Sequence, residues 1–407
     1  MLEYQPELLE KTVKNVVIVN DFNYIQGGAS KVAIDTANLL KNTNINTYFF
    51  SADNKEKEKI EGVHYFCTNQ GESLCDKNKF RGMINGIYNL KAKQQLRDLL
   101  NTLDKEETII HIHGWTKALS SSVFDIAFKK KFKVVLTLHD YFTACPNGGY
   151  FNYVDNKICH FKPLSWKCIK CNCDSRNYFF KIYRLIRQFV QNKIVKLNNK
   201  IENVITISQF SEKILKLTLG KNVNITRIYN PIDFDSKETE KCNIKENKYY
   251  LYVGRVAKEK GVDLFCKAIT DLNLNGIVVG DGNEKNSLQK KYGNINFVGW
   301  KNSKEVKQYM KKAKALIFPS RWYEGAGLTI LEAQSLGIPC IVSRNCAGSD
   351  FIIENENGYL FDGIDELKGK ISNINIENFK FDDNNYSKET YLSNLIKLYD
   401  SILKNRR

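Results

Sequence analysis

The feature that most constrains the fold is a repeated alternation of short apolar strands and helical segments. Segments 16–19, 134–138 and 249–253 are apolar almost throughout, without the polar alternation of a strand that faces water on one side. Strands of this kind, separated by helices, are typical of a parallel sheet covered on both faces. The pattern lapses between residues 230 and 248 and then restarts, so we predict two Rossmann-like α/β domains.

The length of 407 residues agrees with two domains, because one ordinary hydrophobic core does not serve a chain of this size. We place an N-terminal domain at 1–235, a C-terminal domain at 236–385 and a terminal helix at 386–407 that packs back on the first domain.

No secretory leader is evident, and no apolar run nears the roughly 18 residues that span a membrane. We therefore expect a cytoplasmic protein whose 11 cysteines are thiols or metal ligands, not disulfides.

The formal net charge of +16 is concentrated in one segment. Residues 161–200 carry ten Lys and Arg against one Asp, a net charge of nine, which is more than half of the total. A basic surface attracts lipid headgroups, nucleic acid or phosphorylated substrates, and charge alone does not choose among them.

Residues 178–197 place apolar side chains at helical spacing with Lys and Arg between them. Two interpretations stay open: a core-packed helix with a basic outer face, or docking on an anionic membrane through 176–200.

The residues directly after strands carry the functional information, because ligands of open α/β sheets bind beyond the carboxyl ends of the strands. Gly254 and Arg255 follow strand 249–253, and Lys260 lies at the start of the next helix. Two fixed cations beside a helix start suit a diphosphate. The same pair also occurs as plain surface charge, so it needs independent support.

A Gly-rich turn with two carboxylates provides that support in the second domain. Glu324 lies on the turn after a buried strand, and Glu332 lies one turn into the following helix. Gly327 lets the backbone approach a ligand closely, and the amides of Leu328 and Thr329 are free helix-start donors for phosphate. The carboxylates suit hydroxyls at either end of a sugar nucleotide. The alternative is a Gly-rich turn with an incidental helical Glu.

These residues resemble the retaining glycosyltransferases of family 4, which have the GT-B fold, two Rossmann-like domains with parallel sheets facing a central cleft. The family signature of Glu, seven residues and Glu fits Glu324 and Glu332, and its phosphate-binding Arg and Lys fit the pair five positions apart. Ala326 departs from the family, which usually has Phe or another bulky residue there, so the sugar pocket differs in shape. The resemblance spans most of 249–361 and includes three further motifs: Gly280-Asp281-Gly282, Phe297-Val298-Gly299-Trp300 and Asn357-Gly358-Tyr359-Leu360-Phe361.

The resemblance implies a role for each matched residue. Glu324 would hold hydroxyls of the donor sugar, and Glu332 those of the ribose. Arg255 and Lys260 would neutralise the diphosphate as it leaves, where transition-state charge develops. Because these cations and the helix-start amides supply the charge stabilisation, no cofactor or divalent metal is required for catalysis. The other donor-binding residues implied are Gly254, Gly299 and Trp300, the last two beside the nucleobase.

Two places in the first domain would face the donor. Gly27 and Gly28 follow the first strand, and in the resembling family this loop reaches across the cleft to the donor phosphate and the acceptor. His139 directly follows a buried strand and matches the family's active-site His, which implies contact with the transferred sugar and help in orienting the acceptor. Without the resemblance a lone His is more often structural, and we expect His111 and His113 to line the cleft at most.

A Cys-rich loop, residues 145–173, follows this histidine. Cys168 and Cys171 have the two-residue gap that favours shared zinc ligation, and Cys145 and Cys159 are their candidate partners in a structural zinc site. Irregular spacing and the additional Cys173 leave ordinary reduced thiols as the alternative. A redox role is disfavoured, because no thioredoxin-like pattern surrounds the pair.

We therefore predict a hexosyltransferase that moves a sugar, with retention, from a nucleotide-diphosphate sugar to a glycan or lipid-linked acceptor. The expected setting is cell-surface polysaccharide synthesis on the inner face of the membrane. Same-fold alternatives are a soluble sucrose- or glycogen-type synthase and a sugar-nucleotide epimerase. Nucleic acid is not an expected partner, since no RNP, helix-turn-helix or OB signature occurs. A nicotinamide enzyme would need Gly-x-Gly-x-x-Gly, which Gly27-Gly28 does not supply.

Overall fold

The computed structural model describes residues 12–53, 55–232, 246–375, 379–381 and 384–404. Residues 12–232 build one α/β unit and residues 246–375 a second one. The predicted domain boundary at 235–236 lies outside the described residues.

The first unit has nine strands, of which seven form its sheet and two form a small hairpin. The strands are β1 Asn15–Val19, β2 Asn46–Ser51, β3 His64–Cys67, β4 Thr108–Ile112, β5 Lys133–Leu138, β6 Phe151–Asn152, β7 Lys157–Ile158, β8 Asn203–Thr206 and β9 Asn224–Arg227. The sheet order is β3-β2-β1-β4-β5-β8-β9, all parallel, while β6 and β7 pair antiparallel. The helices are α1 Gly28–Leu40, α2 Lys79–Ile87, α3 Leu90–Leu100, α4 Ser122–Lys129, α5 Trp166–Lys170, α6 Tyr178–Phe189, α7 Leu197–Lys200 and α8 Gln209–Leu215.

The second unit has a six-stranded parallel sheet in the order β12-β11-β10-β13-β14-β15. Its strands are β10 Tyr249–Val253, β11 Gly276–Val279, β12 Ile295–Gly299, β13 Ala313–Phe318, β14 Cys340–Ser343 and β15 Gly358–Phe361. The helices of this part of the chain are α9 Val262–Asp271, α10 Lys285–Lys291, α11 Ser303–Lys311, α12 Leu328–Ser335, α13 Gly363–Ser372 and α14 Lys388–Lys404.

The terminal helix α14 packs on the first unit, although it follows the second in sequence. Tyr391 and Tyr399 are buried in the same cluster as Val16 of β1. The Tyr399 hydroxyl lies 2.6 Å from Nδ1 of His111, and the Tyr391 hydroxyl lies 2.7 Å from the Thr36 hydroxyl. These buried hydrogen bonds satisfy polar groups that would otherwise destabilise the core.

Two sheets with these topologies confirm the predicted GT-B type α/β fold. The sequence analysis did not predict β15, the two-residue strands β6 and β7, or the edge strands β3 and β9 of the first sheet, whose residues are exposed or half-buried. An edge strand lacks a second neighbour and a full covering layer, so it carries no continuous apolar run to recognise. Within the described ranges, no helix has both the length and the apolar character needed to cross a membrane.

The basic segment folds as α6 and a following π-helical turn, Val190–Ile194, and it is not a core-packed helix with a basic outer face. Lys181 and Arg187 are buried, and the Arg187 guanidinium donates to the carbonyls of Thr116 and Pro146, each at 3.1 Å. The exposed face is apolar instead. It presents Phe179, Ile182, Ile186, Phe189 and Ile194.

Candidate active site

Three loops of the second unit meet at the carboxyl ends of β10, β11 and β12. The Gly254 amide donates to Val279 O at 3.0 Å, and the Gly280 amide donates to Gly299 O at 2.9 Å. A methyl group on Gly280 would lie 1.9 Å from Gly254 O, so no larger residue fits there. Trp300, next to this group, has 74% of its surface exposed. The loops therefore form one connected backbone surface, with an indole beside it.

Glu324 is held by two side chains from neighbouring loops. Its Oε1 lies 2.5 Å from the Lys260 ammonium and accepts a hydrogen bond from the Ser320 hydroxyl at 2.9 Å. The ammonium also lies 5.0 Å from the centre of the Trp322 ring. Only 10% of the Glu324 side chain is exposed, so the ion pair orients the carboxylate in a partly dry environment.

Arg255 points into solvent more than Lys260 does and pairs with the buried Glu259. Sequence reasoning missed Glu259, although its position four residues after the Arg is the spacing of an ion pair on one helical turn. The Lys260 turn is closed by Gly261, whose φ of +67° is left-handed. Both predicted cations therefore lie on the connection between β10 and α9, with one carboxylate fixing each of them.

The start of α12 lies across the cleft from the start of α1. Gly327 precedes the helix, so the Leu328 and Thr329 amides are helix-start donors. A methyl group on Gly28 would lie 3.7 Å from Leu328 Cδ1, which brings the predicted N-terminal glycine loop against this turn. Glu332, one turn further along, has its Oε1 3.3 Å from the Lys31 ammonium of α1.

The Gly-rich turn also contacts the first unit at His139. A methyl group on Gly325 would lie only 2.1 Å from His139 O, so this approach requires glycine. The Ser208 hydroxyl donates to Gly325 O at 3.1 Å, and the Tyr141 hydroxyl donates to Glu324 O at 3.2 Å. His139 and Glu324, 185 positions apart in sequence, thus border the same part of the cleft.

His111 and His113 are buried behind the half-buried His139 and do not line the cleft. His113 Nδ1 lies 3.0 Å from His139 Nε2, and His111 Nε2 lies 2.7 Å from the Thr137 hydroxyl. Burial lowers the pKa of His139 and of His111 to about 3, and that of His113 well below its usual value. His139 is therefore a neutral imidazole at physiological pH, able to donate or accept a hydrogen bond without carrying charge.

The Cys-rich loop encloses a buried ammonium. The Lys181 Nζ lies 3.1 Å from Cys173 Sγ and 3.5 Å from Cys168 Sγ. Cys145 Sγ contacts Asn147, and Cys171 Sγ lies 3.5 Å from Asn152 Nδ2. In the described part of the chain, no group of three or more His, Cys, Asp or Glu side chains is placed to hold a metal ion. The zinc site, with Cys159 as its remaining ligand, stays a prediction.

Together these groups form a cleft between two Rossmann-like units with fixed cations and carboxylates on one wall and a neutral imidazole on the other. The cations and helix-start amides can hold a diphosphate, and Glu324 and Glu332 can accept hydrogen bonds from hydroxyls on either side of it. This is the fold and site of a GT-B nucleotide-sugar-type glycosyltransferase.

Comparison with known proteins gives the same class. Residues 26–236 match the family described as Glycosyltransferase Family 4, and residues 234–404 match Glycosyl transferases group 1. The chain belongs to glycosyltransferase family 4.

Two curated relatives match the chain over different lengths. An uncharacterized 41.2 kDa protein in the cps region of Klebsiella pneumoniae is 25% identical over 357 residues, covering 83% of each chain. The UDP-Gal:alpha-D-GlcNAc-diphosphoundecaprenol alpha-1,3-galactosyltransferase of Escherichia coli is 26% identical over 186 residues, 42% of this chain and 47% of the relative. Among solved structures, Anabaena Alr3699/HepE in complex with UDP-glucose matches with a TM-score of 0.57 and 16% identity over 96% of both chains, a likeness of fold.

Proposed function

We propose that the protein transfers a hexose from a nucleotide-diphosphate sugar to a hydroxyl of a glycan or lipid-linked acceptor, with retention and without a metal ion. The bond between the anomeric carbon and the diphosphate oxygen breaks, and the bond from that carbon to the acceptor oxygen forms. The nucleoside diphosphate leaves with the electron pair, and the acceptor proton is released. The E. coli relative, named for a UDP-Gal donor and a diphosphoundecaprenol-linked acceptor, supports the substrate class.

The observation that carries this proposal is the Lys260–Glu324 contact of 2.5 Å beside Arg255. A leaving diphosphate gains negative charge, and a cation already fixed in position stabilises that charge without reorganisation. We assign Glu324, which contacts this ammonium, to the sugar end of the donor. Glu332 lies 3.3 Å from Lys31, one turn into the helix that follows. The ribose hydroxyls would replace Lys31 at Glu332.

The exposed apolar face supports a membrane-docked enzyme. Phe80 and Ile84 of α2 are exposed beside the apolar face of α6, and a methyl group on Gly86 would overlap the Tyr183 hydroxyl, so the two helices are in contact. Lys193, Lys196 and Lys200 are exposed and follow this apolar face along the chain. Apolar side chains bordered by lysine suit the interface of an anionic bilayer.

Thermal unfolding with UDP-, GDP- and ADP-sugars tests the donor. A ligand at 100 times its dissociation constant adds about 2.7 kcal/mol to the stability of the folded state. At least one sugar nucleotide should raise the melting temperature, and Glu332→Gln should reduce that gain. Glu389→Gln, an exposed acid on α14, is the matched control and should leave the gain unchanged. No stabilisation by any sugar nucleotide would contradict the proposal.

Co-sedimentation with vesicles tests the membrane surface. Phosphatidylglycerol vesicles should retain the wild-type protein, and the double substitution Phe179→Glu with Ile186→Glu should release it. The double substitution Leu217→Glu with Ile353→Glu introduces the same two charges at exposed apolar residues outside α2 and α6 and should have no effect. Equal sedimentation of both variants would contradict membrane docking through the apolar face.

A further inference from the structure

A second cavity adjoins the active site on the side of the Cys-rich loop. Its volume is about 1030 Å³, which is at the upper end of small-molecule sites of roughly 300–1,000 Å³. One wall is formed by residues of the β6–β7 hairpin and of the loop up to Cys171. The other wall is formed by the carboxyl ends of β13, β14 and β15.

The sheet order separates this cavity from the donor loops. Strands β12, β11 and β10 carry the loops around Gly254, Gly280 and Gly299, whereas the cavity lies beyond β13, β14 and β15 on the other half of the sheet. Ser320 lines the cavity and donates to Glu324 Oε1 at 2.9 Å. The cavity therefore opens next to the carboxylate assigned to the transferred sugar and away from the loops assigned to the nucleotide.

The unmatched charge of the lining is positive. Asp155 pairs with Lys157 at 3.2 Å, Asp362 with Arg344 at 2.9 Å, and Arg321 with Asp263 at 2.6 Å. Lys167 and Lys170 also line the cavity, and across the described ranges no carboxylate lies within the 4.0 Å of an ion pair from either ammonium. These two lysines remain available to an anion.

An exposed indole accompanies the two lysines. Trp166 has 68% of its surface exposed, and the Lys170 ammonium lies 4.8 Å from the centre of its ring. An aromatic face packs against apolar or sugar-ring C–H surface, while an ammonium beside it holds a phosphate as a point charge. The Tyr178 hydroxyl donates to Ile169 O at 2.9 Å, so α6, with its apolar face, begins next to this rim.

We propose that this cavity is the acceptor site and that it takes a sugar acceptor carrying a phosphate or diphosphate, held by Lys167 and Lys170 with Trp166 against the adjoining group. The assignment rests on the proposed transferase function. The acceptor sugar would then project past Ser320 towards Glu324 and the donor. Such a group is present both in lipid-linked sugar diphosphates and in phosphorylated soluble glycans.

Calorimetric titration of the full chain tests the site, with the donor positions first saturated by the nucleoside diphosphate that stabilises the protein most. Farnesyl diphosphate is the lipid-linked probe and inorganic pyrophosphate the free one. The double substitution Lys167→Glu with Lys170→Glu should weaken binding of both probes at least tenfold and leave nucleotide affinity unchanged. The double substitution Lys77→Glu with Lys91→Glu, at two exposed lysines outside the cavity, is the charge-matched control and should change neither.

Two outcomes distinguish the sources of the phosphate, and both support the site. Tighter binding of farnesyl diphosphate than of pyrophosphate, lost in Trp166→Ala, identifies a lipid-linked acceptor, whereas equal binding identifies a soluble phosphorylated one. Unchanged probe affinity in the double variant, or no probe binding by the wild-type protein, overturns this inference. Failure of every nucleotide to bind the wild-type protein would instead overturn the proposed transferase function.

Discussion

The Lys260 ammonium lies 2.5 Å from Oε1 of Glu324, and the two residues come from the loops after adjacent strands β10 and β13. The cation assigned to the diphosphate and the carboxylate assigned to the sugar therefore meet before any substrate is bound. The contact fixes both side chains near the point where the glycosidic bond would break. A substitution at either residue therefore removes the same ion pair.

Glu324→Gln should lower the turnover of transfer by about 10² to 10³-fold, a size typical for loss of one preorganised electrostatic contact. The amide keeps the size of the side chain but removes the charge that pairs with Lys260 and strengthens hydrogen bonds to the sugar. The melting temperature should stay close to that of the wild type, because Ser320 can still donate to the amide oxygen. Steady-state kinetics with the stabilising sugar nucleotide measures this turnover, and full activity of the variant would refute the assignment.

Arg255→Ala and Lys260→Ala should each lower turnover, with a transition-state loss on the order of 2–4 kcal/mol. Each substitution removes a charge that faces the departing diphosphate. Lys258→Ala changes an exposed lysine in the same turn and should leave turnover near the wild-type value. EDTA should not inhibit the chemical step. A strict need for Mg²⁺ or Mn²⁺ in single-turnover measurements would show that the two cations do not suffice.

The pH dependence of stability should follow the buried histidines. Burial lowers the pKa of His139 from 6.5 to about 3, so the unfolded chain binds more protons than the folded chain between these values. The stabilising contribution is present above pH 6.5 and is lost as the pH falls towards 3. Urea unfolding at pH 7.5, 6 and 5 should show this decline, and His139→Asn should reduce its slope. The same slope in His139→Asn as in the wild type would contradict the shift, and replacement of the exposed His64 is the control.

The predicted zinc site can be tested by measuring the zinc content of the purified protein. If the Cys-rich loop binds zinc, elemental analysis of purified protein should find close to one equivalent, and Cys168→Ser and Cys171→Ser should both lose it. The loop should then become sensitive to proteases while both sheets stay folded. Cys266→Ser, a buried cysteine of the other domain, should keep the metal. Zinc-free protein with a protected loop would identify the cysteines as thiols around the Lys181 ammonium.

The alternation of apolar strands and helices predicted both sheets, and the signature residues predicted the wall of the cleft formed by Arg255, Lys260, Glu324 and Glu332. The prediction of the sheets was confirmed because it depends on local order: a strand, the turn after it and the start of the next helix are neighbours in sequence. The roles of the signature residues stay predictions. The supporting groups Glu259, Ser320 and Lys31 were missed. Ser320 contacts Glu324 because of the direction of its side chain, and Lys31 contacts Glu332 from across the cleft. Spacing in the sequence predicts neither contact.

What only the tertiary structure decided is which surfaces are covered. Helical spacing in residues 178–197 identifies an apolar face and a basic one, but it does not say which of them is buried. In the fold, Lys181 and Arg187 find buried sulfur and carbonyl partners, and the apolar face is left outside. The close approach of Gly325 to His139 and the cavity beside the Cys-rich loop likewise depend on packing between segments far apart in the chain. Periodicity specifies the faces of an element, and only contact between elements specifies their neighbours.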